Sequence, residues 1–172
     1  MNNSKIQNIT LIALMAAVLC ITGPFVIPIG IVPISLTNMV IYLTIILLDK
    51  KRATISVAVY LLIGFVGLPV FAGFTGGAGK LLGPTGGYLI GYLVLSLVAG
   101  TILEKVEKVK ALALGAGTTG LYLIGTIWLM YQSKLSFMSA LTVGVLPFVV
   151  FDVIKIIVAI SIGNSIKKRI TL

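Results

Sequence analysis

The sequence predicts an all-α integral membrane protein, a bundle of six transmembrane helices, from three observations. Of its 172 residues, 59% are hydrophobic and only 10% are charged, whereas a soluble domain carries roughly 45–50% apolar and about 25% charged residues. The mean hydropathy is +1.19. The basic residues stand in short clusters between apolar runs, as membrane topology requires. A soluble enzyme is excluded because too little polar surface remains to cover a monomer, and the hydrophobicity excludes a disordered chain.

Charged residues, glycines and prolines divide the apolar sequence into six segments. We predict spans at residues 6–23, 36–48, 53–67, 86–103, 111–131 and 137–166. Because one lipid-spanning helix takes about 20 residues, six of them leave no room for a second folded domain. Residues 1–172 are therefore expected to form a single transmembrane substrate-binding domain. The second and third segments are short, so we expect tilting or local thinning of the bilayer there.

The distribution of positive charge predicts the topology. Ten of the 13 Lys and Arg residues fall on one side of the six spans, Lys80 and Lys134 fall on the other side, and Lys155 lies within a span. Since basic residues accumulate in cytoplasmic loops, both the N and the C terminus are predicted to be cytoplasmic. The ten residues on that side are Lys5, Lys50, Lys51, Arg52, Lys105, Lys108, Lys110, Lys167, Lys168 and Arg169.

Two external connections, residues 24–35 and 68–85, are long, apolar and rich in glycine and proline. Such backbone cannot face lipid, because its N–H and C=O groups would stay unpaired there. We expect it to fold back into the protein or to line a cavity, and we expect the second connection to form an ordered lid rather than a flexible turn. Because long loops of this kind often carry function, the functional site is predicted on the external side.

Asp152 and Lys155 are the first candidates for that site, since both lie in the sixth predicted span. A spacing of three residues puts them on one helical face, and each charge costs roughly 2.5–3.5 kcal/mol at the centre of a lone spanning helix. Such groups face a bundle interior or a wet cavity, where a carboxylate accepts and an ammonium donates hydrogen bonds to a ligand. Pro147 is expected to loosen the helix about one turn earlier. A structural pair that satisfies only itself is the alternative.

The glycine-rich connection is the second candidate. Its glycines permit positive φ angles and a close approach of backbone to a ligand. Thr85 is placed to cap the fourth span, whose N-terminus would offer N–H groups and a positive dipole end to an anionic group. Tyr88 and Tyr92 are four residues apart, and they either anchor the bundle at the membrane interface or line the same pocket. The glycines that we assign to the site are Gly73, Gly76, Gly77, Gly86 and Gly87.

The sequence offers no catalytic or metal-binding cluster. It contains no histidine and one cysteine, Cys20, and three of its four acidic residues fall in predicted cytoplasmic connections. We therefore predict neither an enzyme nor a metal site. Nucleic-acid binding is not expected either, because it needs a basic face with stacking aromatics. Ala13 and Ala17 form a small-xxx-small step, a spacing that lets helices approach closely in membranes.

Three motifs together resemble the signature of the BioY family, the biotin-binding substrate-capture (S) components of energy-coupling-factor (ECF) vitamin transporters. They are Gly67-Leu-Pro-Val-Phe-Ala-Gly, then Gly-Gly-x-Gly, then Leu82-Gly-Pro-Thr-Gly-Gly-Tyr-Leu-Ile-Gly-Tyr92. The resemblance extends over essentially the whole chain, with Val-Pro-Ile at 32–34 and with Pro147-Phe148 followed by Asp152 and Lys155.

This resemblance implies a compact six-helix bundle in the plasma membrane of a prokaryote, with the vitamin held near the outer face beneath a loop. It implies that Asp152 and Lys155 contact biotin, and that the glycine-rich loop with Tyr88 closes over it. Ser35, after Val-Pro-Ile, is assigned to the same pocket. Biotin would be the transported ligand and not a cofactor. The implied partners are a transmembrane coupling subunit, reached through Ala13 and Ala17, and two cytoplasmic ATPases.

The chain also departs from the family pattern, and two other functions remain open on the sequence. Members often carry Thr-x-Gln after Val-Pro-Ile, where this chain has Ser35-Leu36-Thr37, and Pro-Gly before the aspartate, where it has Val150-Phe151. A glutamine that would reach a ligand is thus missing. One alternative is a stand-alone ion-coupled secondary transporter of a small vitamin-like acid, with a coupling proton on Asp152. The other is a purely structural assembly subunit.

Overall fold

The computed structural model describes residues 3–28 and 31–169, and its secondary structure is almost entirely helical. The helices are α1 (Asn3–Thr22), α2 (Thr37–Leu47), α3 (Lys50–Phe65), α4 (Ala78–Leu81), α5 (Gly86–Lys105), α6 (Lys110–Ser133), α7 (Phe137–Gly144) and α8 (Leu146–Arg169). Two strands, β1 (Val26–Ile27) and β2 (Ile34–Ser35), lie between α1 and α2.

The two strands are a departure from the all-α prediction. They pair antiparallel, with Val26 opposite Ser35 and Ile27 opposite Ile34. The hairpin folds the first external connection back over the bundle. Its strand pairing satisfies part of the backbone N–H and C=O groups, which lipid could not do. Each strand has only two residues, too few for a period-2 pattern to be read in the sequence.

Four helical segments are long and apolar enough to cross a membrane: Lys5–Thr22, Gly86–Lys105, Lys110–Ser133 and Phe137–Arg169. Helix α2 is apolar but has only 11 residues. At 1.5 Å per residue it is about 16 Å long, against a hydrocarbon core of about 30 Å. The sequence prediction of a short second segment therefore holds, while the crossing of the bilayer by α2 and α3 remains a prediction.

The predicted span over residues 137–166 falls within one apolar helical segment, Phe137–Arg169, which is interrupted at Val145. Helix α7 ends at Gly144, α8 begins at Leu146, and Val145 between them has φ −130° and ψ −57°. Pro147 stands in the first turn of α8, where a missing N–H costs nothing because helix N-terminal amides have no intrahelical partner. Further inside a continuous helix the same proline would remove a hydrogen bond and clash with the preceding turn.

The bundle is built from three helix pairings that together position the site. Helix α5 packs along α6, α2 packs along α8, and α1 packs on α3. A Cβ atom on Gly117 of α6 would lie 2.7 Å from a methyl carbon of Leu95, so α5 and α6 approach each other at this point because no side chain intervenes. The α2–α8 pairing brings residue 38 beside residue 152.

The glycine-rich connection is an ordered loop tied to the bundle. Phe71 is fully buried, its ring occupies the space above Gly64, and it lies edge-on to Tyr60 with centroids 5.5 Å apart. The Gly73 N–H donates to the Pro24 carbonyl at 2.9 Å, which joins the two external connections. At its other end, the Trp128 indole donates to the Gly83 carbonyl at 2.9 Å. The segment is therefore anchored to α1, α3 and α6 on the same end of the bundle as the hairpin.

Candidate functional site

Asp152 and Lys155 form a buried ion pair on α8. The Lys155 Nζ atom lies 2.9 Å from Asp152 Oδ1, and the two residues are 3% and 8% exposed. The predicted i, i+3 spacing thus does place both charges on one face, and that face points into the bundle. Helices α2, α5 and α6 surround it on the inner side.

The Asp152 carboxylate accepts hydrogen bonds from two further helices. The Tyr122 hydroxyl of α6 donates to Oδ2 at 2.6 Å, and the Asn38 amide of α2 donates to both oxygens at 3.1 and 3.3 Å. A carboxylate offers about four lone-pair positions, and with Lys155 all four are used. The pair therefore does not satisfy only itself, because it is the centre of a network that joins three helices.

A cavity of about 40 Å³ adjoins this network. Both ions line it, together with the hairpin segment and the two tyrosines of α5. Of the three donors to Asp152, the Asn38 amide makes the longest hydrogen bonds, so it is the partner that an incoming ligand displaces at least cost. The polar residues around this first cavity are Ser35, Asn38, Tyr88, Tyr92, Tyr122, Asp152 and Lys155.

A second cavity of about 50 Å³ lies beside the first and continues toward the external loop. Val32, Pro33, Ser35, Tyr88 and Tyr92 line both cavities, so these residues form the partition between them. The second cavity is further lined by Thr37, Tyr60, Ala72, Lys80, Thr85 and Leu89.

The two cavities are too small to hold a vitamin in this conformation. Pockets for small organic ligands measure roughly 300–1,000 Å³, whereas these cavities hold a few water molecules. A ligand that spans both cavities must displace the residues of the partition. The hairpin part of the partition, Val32 to Ser35, lies outside the helices. The site is therefore a closed pocket whose outer wall is the hairpin.

Five predicted site residues line the two cavities of this pocket. Asp152, Lys155, Tyr88 and Ser35 all line the first cavity, and Thr85 lines the second. Tyr88 is held in place by its hydroxyl, which donates to the Gly144 carbonyl at 3.0 Å. Its ring fills the space above Gly125, where a Cβ atom would lie 2.3 Å from the ring.

Of the five predicted glycines, Gly73, Gly76 and Gly77 lie in the loop and Gly86 and Gly87 begin α5. In the part of the chain that the structure describes, none of the five lines either cavity. Gly73 and Gly77 have φ angles of +72° and +87°, which permit the turns of the loop. Gly76 and Gly86 pack against the carbonyls of Leu68 and Leu81. Gly87 packs against the side chain of Trp128. In this conformation they shape the loop, and their contact with a ligand remains a prediction.

The predicted side-chain cap at Thr85 is wrong. Thr85 does precede α5, but its backbone is helical (φ −92°, ψ 0°) and its hydroxyl makes no cap hydrogen bond. The Gly86 N–H donates to the Gly83 carbonyl at 3.0 Å, so the loop itself satisfies part of the helix N-terminus. A capping threonine needs an extended backbone, and the tight turn after Pro84 prevents that conformation. Thr85 turns instead toward the second cavity.

Sequence reasoning missed Asn38, Tyr122 and Lys80. Asn38 and Tyr122 are neutral polar residues inside predicted spans. The sequence could have pointed to them because an unpaired polar group costs free energy when it is buried in a membrane. Lys80 stood out only as one of two basic residues on the predicted external side. The residues at which this chain departs from the family pattern lie in two different places. Thr37 lines the second cavity, whereas Val150 and Phe151 are exposed on the far side of α8.

Ala13 and Ala17 lie on the outer surface of α1. Both are exposed, whereas Ala16 beside them is 2% exposed and faces the bundle. Packing within this chain therefore does not account for the small-xxx-small step. Its role in a contact with another helix remains a prediction.

Comparison with known proteins finds one matching family and several similar proteins. The sequence model of the BioY family matches residues 1–171. The chain is 34% identical over 174 residues to the biotin transporter BioY2 of Lactococcus lactis, which covers 99% of this chain and 96% of that protein. It is 42% identical over 154 residues to the biotin transporter BioY of Thermotoga maritima, which covers 87% of this chain and 90% of that protein.

A solved structure shares the fold. It is the crystal structure of the S-component for biotin from an ECF-type ABC transporter, with a TM-score of 0.90 and 35% sequence identity. The superposition covers 98% of this chain and 94% of the other. The likeness therefore extends over the whole bundle, including both external connections.

Proposed function

Because this chain belongs to the BioY family, as its motifs predicted, we propose that it captures biotin in the closed pocket beside Asp152 and delivers it as the S component of an ECF-type importer. Support comes from the relatives, which are named biotin transporters, and from the solved relative, an S-component for biotin. The single observation in this chain that carries the proposal is the buried Asp152–Lys155 pair with a cavity alongside.

The network around Asp152 matches the chemistry of the ureido ring, which has one carbonyl oxygen and two N–H groups. The Lys155 ammonium has three donors and gives one of them to Asp152, so it retains donors for the ureido oxygen. A ureido N–H takes the place of the Asn38 amide on the carboxylate. The turned amide of Asn38 then presents its own oxygen to the second N–H. The tetrahydrothiophene ring of biotin, which is apolar, is buried beside Tyr88 and Tyr92.

The second cavity is suited to the carboxylate tail. Lys80 lines it, and no carboxylate of residues 3–28 or 31–169 lies within 4 Å of the Lys80 ammonium. Biotin placed with its ureido ring at Asp152 directs its valerate chain through the partition toward Lys80 and the hydroxyl of Thr85. The glycine-rich loop and the hairpin form the lid over this end.

The rest of the molecule serves the delivery of bound biotin. It is a multi-pass protein of the prokaryotic plasma membrane and a single substrate-binding domain, with six crossings and both termini in the cytoplasm, as the charge distribution predicts. The exposed Ala13–Ala17 face of α1 contacts the transmembrane coupling subunit, and two cytoplasmic ATPases supply the energy. Biotin is cargo and not a cofactor. No separate observation supports the ion-coupled or the structural alternative.

Biotin is expected to raise the thermal stability of the purified protein. A ligand that binds only the folded state stabilises it by RT ln(1 + [L]/Kd), about 2.7 kcal/mol at 100 times Kd. Thermal unfolding in detergent with biotin, lipoate, thiamine or no addition measures this directly. An upward shift with biotin alone is the predicted result. Equal shifts with all three compounds, or no shift with any, would contradict the proposal.

Lys80→Gln is expected to weaken biotin binding by about tenfold, because a hydrogen bond from a charged donor to the carboxylate is lost. The affinity for biotin methyl ester, which has no carboxylate charge, should not change. Lys134→Gln is the matched control, since Lys134 is the other lysine on the predicted external side and does not line either cavity. Titration calorimetry of the three proteins with both ligands gives the comparison. If Lys80→Gln weakens acid and ester equally, Lys80 only supports the loop.

A further inference from the structure

A large cavity lies at the end of the bundle opposite the biotin pocket. It is a cleft of about 670 Å³ between the last turn of α2, the first turns of α3 and α6, and the last turns of α5 and α8. On the predicted topology this end faces the cytoplasm. Its volume is within the range of roughly 300–1,000 Å³ that ligand pockets have, and none of its lining residues takes part in the site described above.

The cleft has an excess of positive charge. Five cations line it, Lys50, Arg52, Lys105, Lys110 and Lys167, against three carboxylates. The carboxylates are each paired once: Lys50 with Glu104 at 3.0 Å, Arg52 with Asp49 at 3.0 Å, and Lys167 with Glu107 at 3.2 Å. Two cations remain, and within residues 3–28 and 31–169 neither Lys105 nor Lys110 has a carboxylate within 4 Å.

The start of α6 adds to the positive potential of the cleft. Its N-cap residue is Val109, which offers no side-chain acceptor, so the first amide N–H groups of α6 have no side-chain cap. Lys110 is the first residue of the helix, and its ammonium donates to the Asn164 side chain of α8 at 2.5 Å, which fixes it at the edge of the cleft. The Lys167 ammonium lowers the pKa of the Glu107 carboxyl through a hydrogen bond, and the charge of Lys110 lowers it further.

One wall of the cleft is apolar. It is formed by the partly exposed side chains of Leu47, at the end of α2, and Leu103 of α5, while Ile45, Ile46 and Leu48 also line the cleft but are buried. A basic floor beside an apolar wall, at the level where a helical bundle leaves the bilayer, matches an anionic headgroup with acyl chains attached. A free anion would use the cations but not this wall.

We propose that the cleft binds the phosphate headgroup of an anionic phospholipid of the cytoplasmic leaflet, with Lys105, Lys110 and the N-terminus of α6 as phosphate donors. The lipid bridges α2, α5, α6 and α8 at the end of the protein that faces the ATPases. The site is separate from the biotin pocket, and the inference depends on the predicted topology and not on the identity of the transported ligand.

The test is native mass spectrometry of the purified full chain with added phosphatidylglycerol, phosphatidylcholine or soluble glycerol phosphate. We expect one retained phosphatidylglycerol per protein, much weaker retention of phosphatidylcholine, and no binding of glycerol phosphate at the same concentration. Lys105→Gln and Lys110→Gln should each weaken phosphatidylglycerol binding by about tenfold, the loss of one charge-assisted hydrogen bond. Two variants are used because the Lys110 ammonium also donates to Asn164, whereas the Lys105 side chain makes no hydrogen bond within the described residues.

Lys51→Gln is the matched control, because Lys51 lies on the same end and is exposed but does not line the cleft. Its phosphatidylglycerol affinity should equal that of the parent protein. Equal losses in Lys51→Gln and the cleft variants would overturn the proposal in favour of general surface charge. Equal retention of both lipids, or binding of glycerol phosphate as tight as that of the lipid, would overturn it as well. Biotin-dependent stabilisation, measured on the same samples, should be unchanged in all variants, so a failure here is distinct from a failure of the biotin site.

Discussion

Asp152→Asn is expected to weaken biotin binding by a factor of about 10 to 150, which corresponds to the loss of one hydrogen bond to a charged group. The asparagine keeps the shape of the side chain but has one acceptor oxygen in place of two and no charge. It can no longer hold Lys155, Tyr122 and a ureido N–H together. Titration calorimetry with biotin is the measurement.

Asp49→Asn is the control for this variant. Asp49 is an exposed carboxylate that caps α3 through the Arg52 N–H at 2.7 Å, and asparagine is an equally good cap. Its biotin affinity should match that of the parent protein. A well-folded Asp152→Asn protein with unchanged affinity would show that the carboxylate does not contact the ligand.

Lys155→Met is expected to lower the free energy of unfolding by about 3–5 kcal/mol, the usual cost of removing one partner from a buried ion pair. The loss arises because Asp152, 3% exposed, would keep only the neutral donors Tyr122 and Asn38. Thermal unfolding in detergent without biotin measures the effect as a lower Tm.

The matched control is Lys167→Met, which breaks the exposed ion pair with Glu107 at the predicted cytoplasmic end. Exposed pairs contribute about 0–1 kcal/mol, so the Tm should hardly change. A Lys155→Met protein as stable as Lys167→Met would mean that water reaches Asp152 and that the site is not dry.

The sequence was sufficient to find the ion pair but not the network around it. Asp152 and Lys155 stand out because a charge within an apolar run has a high cost of insertion. Asn38 is 114 residues away from Asp152 along the chain and Tyr122 is 30 residues away. Both are neutral, so only the packing of α2 and α6 against α8 shows that they serve the carboxylate.

The glycines show a second limit of sequence reasoning. A glycine-rich loop predicts that other atoms come close to its backbone. It does not predict whether those atoms belong to a ligand or to the protein itself. Here Gly76 and Gly86 accommodate loop carbonyls, and Gly87 accommodates Trp128. In the same way, Pro147 predicted a loosened helix, yet the break lies at Val145, because proline is tolerated in the first turn of a helix that restarts.

Biotin titration of the double variant Asp152→Leu/Lys155→Met tests most directly whether the buried ions are kept for the ligand. Replacing a buried ion pair by apolar residues is often neutral or even stabilising, so this protein should fold and should recover part of the stability that Lys155→Met alone loses. The recovery is partial because the Tyr122 hydroxyl and the Asn38 amide lose their acceptor. We predict a folded protein that releases no heat of binding with biotin. A double variant that binds biotin with the affinity of the parent protein would contradict the account, because the pair would then be dispensable for recognition.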